Sequence, residues 1–217
     1  MQGRTRHYEP LFTLIAAGVA WFALAGQMYL ALLGRWQNDA SLLGGLINFF
    51  SYFTVTTNTL VAMVLTCAAS DSNSALRRFF RRPAVIAGVT VSIVVVGVSY
   101  SLLLRNVWDP RGFQWLVNEL LHDVMPLVFV AWWWLYVPSG SLRWRHALWW
   151  MLYPILYFAY AMLRGHSIGV YQYPFIDVSK LGWAAVMINS LVILAGFVVL
   201  SLAVIALDHL PARRRLR

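Results

Sequence analysis

Apolar residues fall into six stretches along this chain, and short loops rich in arginine separate them. The stretches are Leu11–Leu33, Leu46–Ala69, Ala84–Leu104, Trp115–Val137, His146–Leu163 and Leu181–Leu207. A helix crosses a bilayer core with roughly 20 apolar residues. Each stretch therefore predicts a membrane helix. The fifth is the shortest, and its Trp and Tyr ends suit an interfacial position. No long polar linker, low-complexity run or clear internal repeat interrupts the pattern. The expectation is an all-α polytopic membrane protein, a six-transmembrane-helix bundle in which residues 1–217 form one domain.

Composition agrees. Of 217 residues, 60% are hydrophobic, far from a soluble domain. The net charge of +9 raises the question of nucleic acid. The basic residues, however, sit in short clusters beside apolar stretches, which reads as topology signal, and no nucleic-acid partner is expected. Arg4, Arg6, Arg77, Arg78, Arg81, Arg82, Arg143, Arg145, Arg213, Arg214, Arg215 and Arg217 would share one side, 12 in all. Arg35, Arg105, Arg111, Arg164 and Lys180, which number 5, would share the other. The positive-inside rule then puts both termini in the cytoplasm of a multi-pass inner-membrane protein. Trp132, Trp133 and Trp134, with Trp149 and Trp150, would form an inner aromatic belt. Trp108, Trp115, Tyr171 and Tyr173 would mark the outer face. The first apolar run is too long for a cleaved signal peptide. The single cysteine, Cys67, rules out an intrachain disulfide and a cysteine metal cluster.

The informative exceptions to the apolar pattern are polar. Asn48 to Asn58 reads N-F-F-S-Y-F-T-V-T-T-N at the head of the second stretch. Polar groups at such depth usually face a bundle interior or a functional site. Thr54 and Asn58 fall about two to three turns from the outer end of helix 2. His122, Asn189 and Gln27 fall about two turns from the same side on helices 4, 6 and 1. One shared level favours one polar cavity.

Helix 4 carries N-E-L-L-H-D-V-M-P from Asn118 to Pro126. Pro126 cannot donate to the His122 carbonyl four residues back, so a kink and a free acceptor are expected beside the imidazole. His122 is either a general base, oriented by Asp123 or Glu119, or a hydrogen-bonding group between helices. Thr54 would be its nucleophile, since a Thr hydroxyl needs an adjacent base. Thr57 and Asn58 share its face by spacing, and Asn58 can donate to an oxyanion. Against that stands the ordinary use of Ser and Thr in helix packing. After helix 5, Tyr-Pro-Phe predicts a semi-rigid turn and a lid over the cavity, with Asp177 and Arg164 paired across it. His166 reads as a solvated loop residue. No Gly-x-Ser-x-Gly, phosphate-binding glycine loop or His-Glu-x-x-His occurs. The lone lysine, Lys180, flanks helix 6, which argues against an intramembrane retinal Schiff base, and a haem would lack a second intramembrane histidine. No metal or cofactor is expected.

Three motifs recur in one order: YFT at Tyr52–Thr54, LLHDVMP ending at Pro126, and YPFID at Tyr173–Asp177. In these the chain resembles the family of the androgen-induced protein and the androgen-dependent TFPI-regulating protein. The resemblance implies a bacterial integral membrane relative of threonine hydrolases that cleave fatty acid esters of hydroxy fatty acids. It maps the nucleophile to Thr54 and the base to His122. The expected function is a lipid-ester hydrolase with its site in the outer leaflet, acting on a membrane lipid or fatty-acyl ester. Asn58 or Asn189 would stabilise the oxyanion, with Asp123 and Asp177 in support. The alternatives are a non-enzymatic transporter or lipid-binding protein using the same cavity, and a structural assembly factor.

Overall fold

The structure, a computed structural model, describes residues 5–210. Of the arginines used for topology, Arg4, Arg213, Arg214, Arg215 and Arg217 lie outside them. The described residues are helical with no strand. The long helix α1 (Thr5–Gln37) packs on α3 (Phe53–Ala69). Its contact face is small: Ala16, Ala17, Ala20 and Ala23 are buried. Short side chains let two backbones approach, which is how helices associate where surrounding lipid removes the hydrophobic drive. At Gly26 an added Cβ would lie 2.8 Å from a Val117 methyl, so that crossing needs glycine.

The expected single helix over Leu46–Ala69 is broken. A short helix, α2 (Leu42–Phe49), meets α3 at a 74° bend, with Phe50–Tyr52 between them. Tyr52 is extended (φ −91°, ψ 133°). The backbone groups a break leaves open must find other partners. The Tyr157 hydroxyl donates to the Ser51 carbonyl at 3.0 Å, and the Ser51 hydroxyl lies 2.7 Å from that of Tyr160. Thr54 therefore sits in the first turn of α3 rather than two to three turns into a span.

A short helix, α4 (Ala75–Phe80), leads into α5 (Pro83–Ser99), which runs on as a π-helical turn, Tyr100–Leu104. The fourth apolar stretch forms α6 (Phe113–Glu119), a second π turn (Leu120–Val124) and α7 (Met125–Tyr136) without a gap. The fifth forms α8 (Arg145–Ile168) and the sixth α9 (Val178–Asp208), with a 3₁₀ turn, Pro174–Ile176, before it. Gly182 (φ 75°, ψ 161°) kinks α9 near its start.

Among the described residues, three helices are long and apolar enough to cross a membrane: α1 from Pro10, α5 with its π turn, and α9. The bent pair α2 and α3 makes a fourth if it counts as one span. Apolar side chains also cover outward faces, as at Leu156 and Leu163 of α8 and Ile188, Leu191 and Val192 of α9. A soluble protein would not present such surface, and several apolar helices of this kind fit an integral membrane protein.

Two belt assignments change. Trp132 and Trp133 are buried in the bundle, where the Trp132 indole donates to Thr13 Oγ1 at 2.8 Å. Tyr173, in the loop that joins α8 to α9, is buried too. Aromatic content alone does not tell a belt from a core.

Candidate functional site

The antiparallel order brings the start of α3, the end of α5, the start of α6, the end of α8 and the start of α9 to one end of the bundle. The two π turns lie together there. Tyr100 of the first stacks on His122 of the second, ring centroids 4.3 Å apart. Asn118 Nδ2 donates to the Tyr100 hydroxyl at 2.6 Å, and Arg105 pairs with Asp123. The close approach needs Gly97, where an added Cβ would lie 3.1 Å from the His122 carbonyl.

The π turn also extends the effect of Pro126 to Leu121. In a π turn the N–H of residue i+5 serves the carbonyl of residue i, and Met125 N–H donates to Leu120. The residue owed to Leu121 is then Pro126, which has no N–H. The Leu121 carbonyl is thus left without a backbone donor. Asn58 Nδ2 donates to it at 3.1 Å, and also to the Thr54 carbonyl at 2.9 Å. Both Asn58 amide hydrogens are thus committed, one within α3 and the other tying α3 to the π turn. The side chain has none to spare for an oxyanion, and its Oδ1 is buried without a partner.

Two cavities meet at Thr54. One, of about 220 Å³, is apolar and lies between α5, α8 and α9, with Val95, Ile155, Phe158, Leu191 and Phe197 on its walls. The other, of about 400 Å³, has a wall that is still mainly apolar but carries more polar groups, among them Gln27, Gln114, Asn118, His122 and Gln172. Thr54, Tyr100, Leu104 and Tyr173 line both. Thr54 is thus part of the partition between an apolar chamber and a more polar one.

The structure places Thr54 and His122 on the wall of the same cavity, but no hydrogen bond joins them. The Tyr173 hydroxyl accepts from the Thr54 N–H at 3.3 Å and lies 3.5 Å from Thr54 Oγ1. No side chain of Tyr52 caps this helix end. His122 Nδ1 lies 3.0 Å from the Asn118 carbonyl. A carbonyl only accepts, so Nδ1 carries the proton and the neutral ring has its lone pair on Nε2. The Asn118 carbonyl, rather than Asp123 or Glu119, orients the imidazole. Asp123 faces Arg105, and Glu119 lies 4.0 Å from the same guanidinium.

The other expected residues serve the fold. Thr57 turns to Tyr153 at 3.0 Å, as does Thr56 at 2.8 Å. Asn189 does not reach either cavity, because its Nδ2 holds the Phe175 carbonyl at 2.9 Å. Asp177 caps α9, accepting from Ser179 N–H at 3.1 Å, and pairs with Lys180 at 3.5 Å. Its expected partner Arg164 instead donates to Asn48 Oδ1 at 3.2 Å. Burial pushes the Tyr173 phenol up from its ordinary value, so it stays a neutral donor.

Tyr100, Gln172 and Tyr173 are the site residues the apolar pattern does not single out. Tyr100 closes a Val-rich run and looks like core, while Gln172 lies in a loop without periodicity. The π register, which brings Tyr100 to His122, leaves no mark in a 3.6-residue period. No group of three or more His, Cys, Asp or Glu among the described residues could hold a metal ion.

The fold and cavity define an all-helical protein, compatible with an integral membrane protein, with a two-chambered site at one end of the bundle. No protein-family model, curated protein or solved structure matches the chain.

Proposed function

We propose that this chain is a membrane-embedded threonine hydrolase of fatty-acyl esters. The observation that carries the reading is Thr54 in the partition between an apolar and a polar chamber, with His122 on the polar wall. An ester of a fatty acid has that same division. Its acyl chain fits the apolar chamber, its alcohol side the polar one, and its carbonyl the boundary.

The chemistry follows from the groups present. His122 Nε2 takes the Thr54 hydroxyl proton, and Oγ1 bonds to the ester carbonyl carbon. Tyr173 donates to the resulting oxyanion, helped by the positive end of the α3 dipole. As the tetrahedral centre collapses, the C–O bond to the alcohol breaks and His122 returns the proton to it. Water, deprotonated by His122, then hydrolyses the acyl-threonine. The resemblance to the androgen-induced protein family assigns the same two residues.

The same proposal takes six membrane spans: α1, the α2–α3 pair, α5 with its π turn, residues 113–136, α8 and α9. An even number of spans leaves both termini on one side, and the arginine bias favours the cytoplasm of an inner membrane. The cavity then opens in the outer leaflet.

Labelling with a fluorophosphonate probe tests the assignment. Wild type should label and turn over esters, while Thr54→Ala and His122→Gln should do neither. Equal labelling of all three would remove Thr54 from the mechanism. Lipid binding without turnover in wild type would favour the lipid-binding alternative.

A further inference from the structure

We infer that the polar chamber recognises an uncharged, hydroxyl-bearing lipid headgroup, and that Gln172 reads it. The inference rests on the hydrolase reading for the orientation of the ester, but the binding it describes needs no catalysis.

The polar groups on the chamber wall are amides, hydroxyls and an imidazole, and the lining holds no Lys, Arg, Asp or Glu. Its amides are mostly committed within the chain. Gln114 Nε2 donates to Gln27 Oε1 at 3.1 Å, Asn118 donates to Tyr100, and Asn48 Oδ1 accepts from Arg164. Gln172 differs. It is only 9% exposed, it lines the chamber, and neither its Nε2 nor its Oε1 has a hydrogen-bond partner. A buried polar atom left so is costly, and a ligand that pairs with it removes that cost.

Gln172 is also held from both sides. The Tyr171 ring fills the space a side chain at Gly165 would need, and Tyr173 is fastened to the start of α3. A rigid carboxamide presents one donor and one acceptor side by side, and a hydroxyl offers the matching acceptor and donor.

Charge excludes the anionic alternative. A phosphate or carboxylate moved into this chamber would lose water and meet no cation in return. Arg105 is spent on Asp123 and Glu119, and Arg164 stands behind Asn48, outside the lining. An acylglycerol-type headgroup, neutral and rich in hydroxyls, satisfies the same wall at no such cost.

The test uses the full chain in nanodiscs and three probes: a 1-O-alkylglycerol ether, which cannot be hydrolysed, its phosphate with the same alkyl chain, and free glycerol. The expected result is alkylglycerol binding at least about tenfold tighter than either of the others, a difference of about 1.4 kcal/mol. Gln172→Leu, close in volume, should bring alkylglycerol affinity down to that of the phosphate ether. Phosphate ether binding equal to or tighter than alkylglycerol in wild type would overturn the inference, and that arm depends on no variant. Glycerol binding as tight as the ether would overturn the lipid assignment. Selective ether binding with no turnover of any ester would support this inference while removing the hydrolase.

Discussion

The two ends of the bundle treat buried polar groups in opposite ways. At the end of α9, Asp208 Oδ2 accepts from the N–H groups of Gly140, Ser141 and Leu142 at 2.8, 3.0 and 3.0 Å. That one carboxylate fastens the α7–α8 loop. Thr66, Thr90 and Ser201 likewise donate to carbonyls four residues back. At the cavity end, buried atoms stand without partners: Asn58 Oδ1, Asp123 Oδ2, Arg164 Nη1 and both amide atoms of Gln172. The other such atom among the described residues is Ser139 Oγ. Polar groups that hold a fold together are satisfied within the chain. Of these open groups, Gln172 is the one that lines a cavity, where a molecule from outside the chain can match it.

That contrast breaks if mutations at the two ends have the same consequence. The largest expected effect is Thr54→Ala, which should lower kcat by about 10⁴-fold. Its melting temperature should hardly move, because the hydroxyl makes only the 3.5 Å contact with Tyr173. Tyr173→Phe should cost roughly 10²-fold in kcat with KM little changed, as loss of one oxyanion donor does. Some stability should go too, with the hydroxyl that accepts from the Thr54 N–H, but a stability loss with kcat unchanged would make Tyr173 a packing residue instead.

Asp208→Ala should do the reverse. It strands the Ser141 and Leu142 amides, while Gly140 keeps the main-chain carbonyl of residue 208, and should destabilise the protein by about 2 kcal/mol, since water reaches part of the loop. Lipid binding by the folded fraction should be unchanged. Asn58→Leu sits between the two classes. It frees the Leu121 carbonyl, so unfolding measurements should show a loss of about 1 kcal/mol, and kcat should fall as α3 and the π turn lose their tie.

The smallest effect is expected at Asp177. Hydrogen bonds from Ser179, and Lys180 beside it, hold its carboxyl below the ordinary carboxylate range. A lowered folded pKa contributes stability above the unfolded value and loses it as pH falls through the folded one. Asp177→Asn should therefore melt slightly lower than wild type at neutral pH, and the gap should close in acid. A gap that widened in acid would contradict this.

The spacing of apolar residues was enough to find the helices, because length and composition are local properties. It missed the break at Phe50–Tyr52, where Tyr157 serves the Ser51 carbonyl and Tyr160 the Ser51 hydroxyl, both about a hundred residues away in sequence. Thr54 and His122 stood out as polar residues at an apolar level, and both do line one cavity. Their partners were not legible, since partnership depends on helix rotation. The π turn shows why: its extra residue leaves the Leu121 carbonyl open to a side chain, and Asn58 becomes a tie to it. Asn189 shared the expected depth, yet it faces the 3₁₀ turn at Phe175.

The most direct measurement of the central claim is the site of acylation. Wild-type protein mixed with a long-chain acyl ester and quenched in acid should carry one acyl group. Peptide mass spectrometry should map it to Thr54, with none in Thr54→Ala. Ester turnover with the acyl group on another residue, or with no acyl-enzyme under conditions of a pre-steady-state burst, would contradict the account.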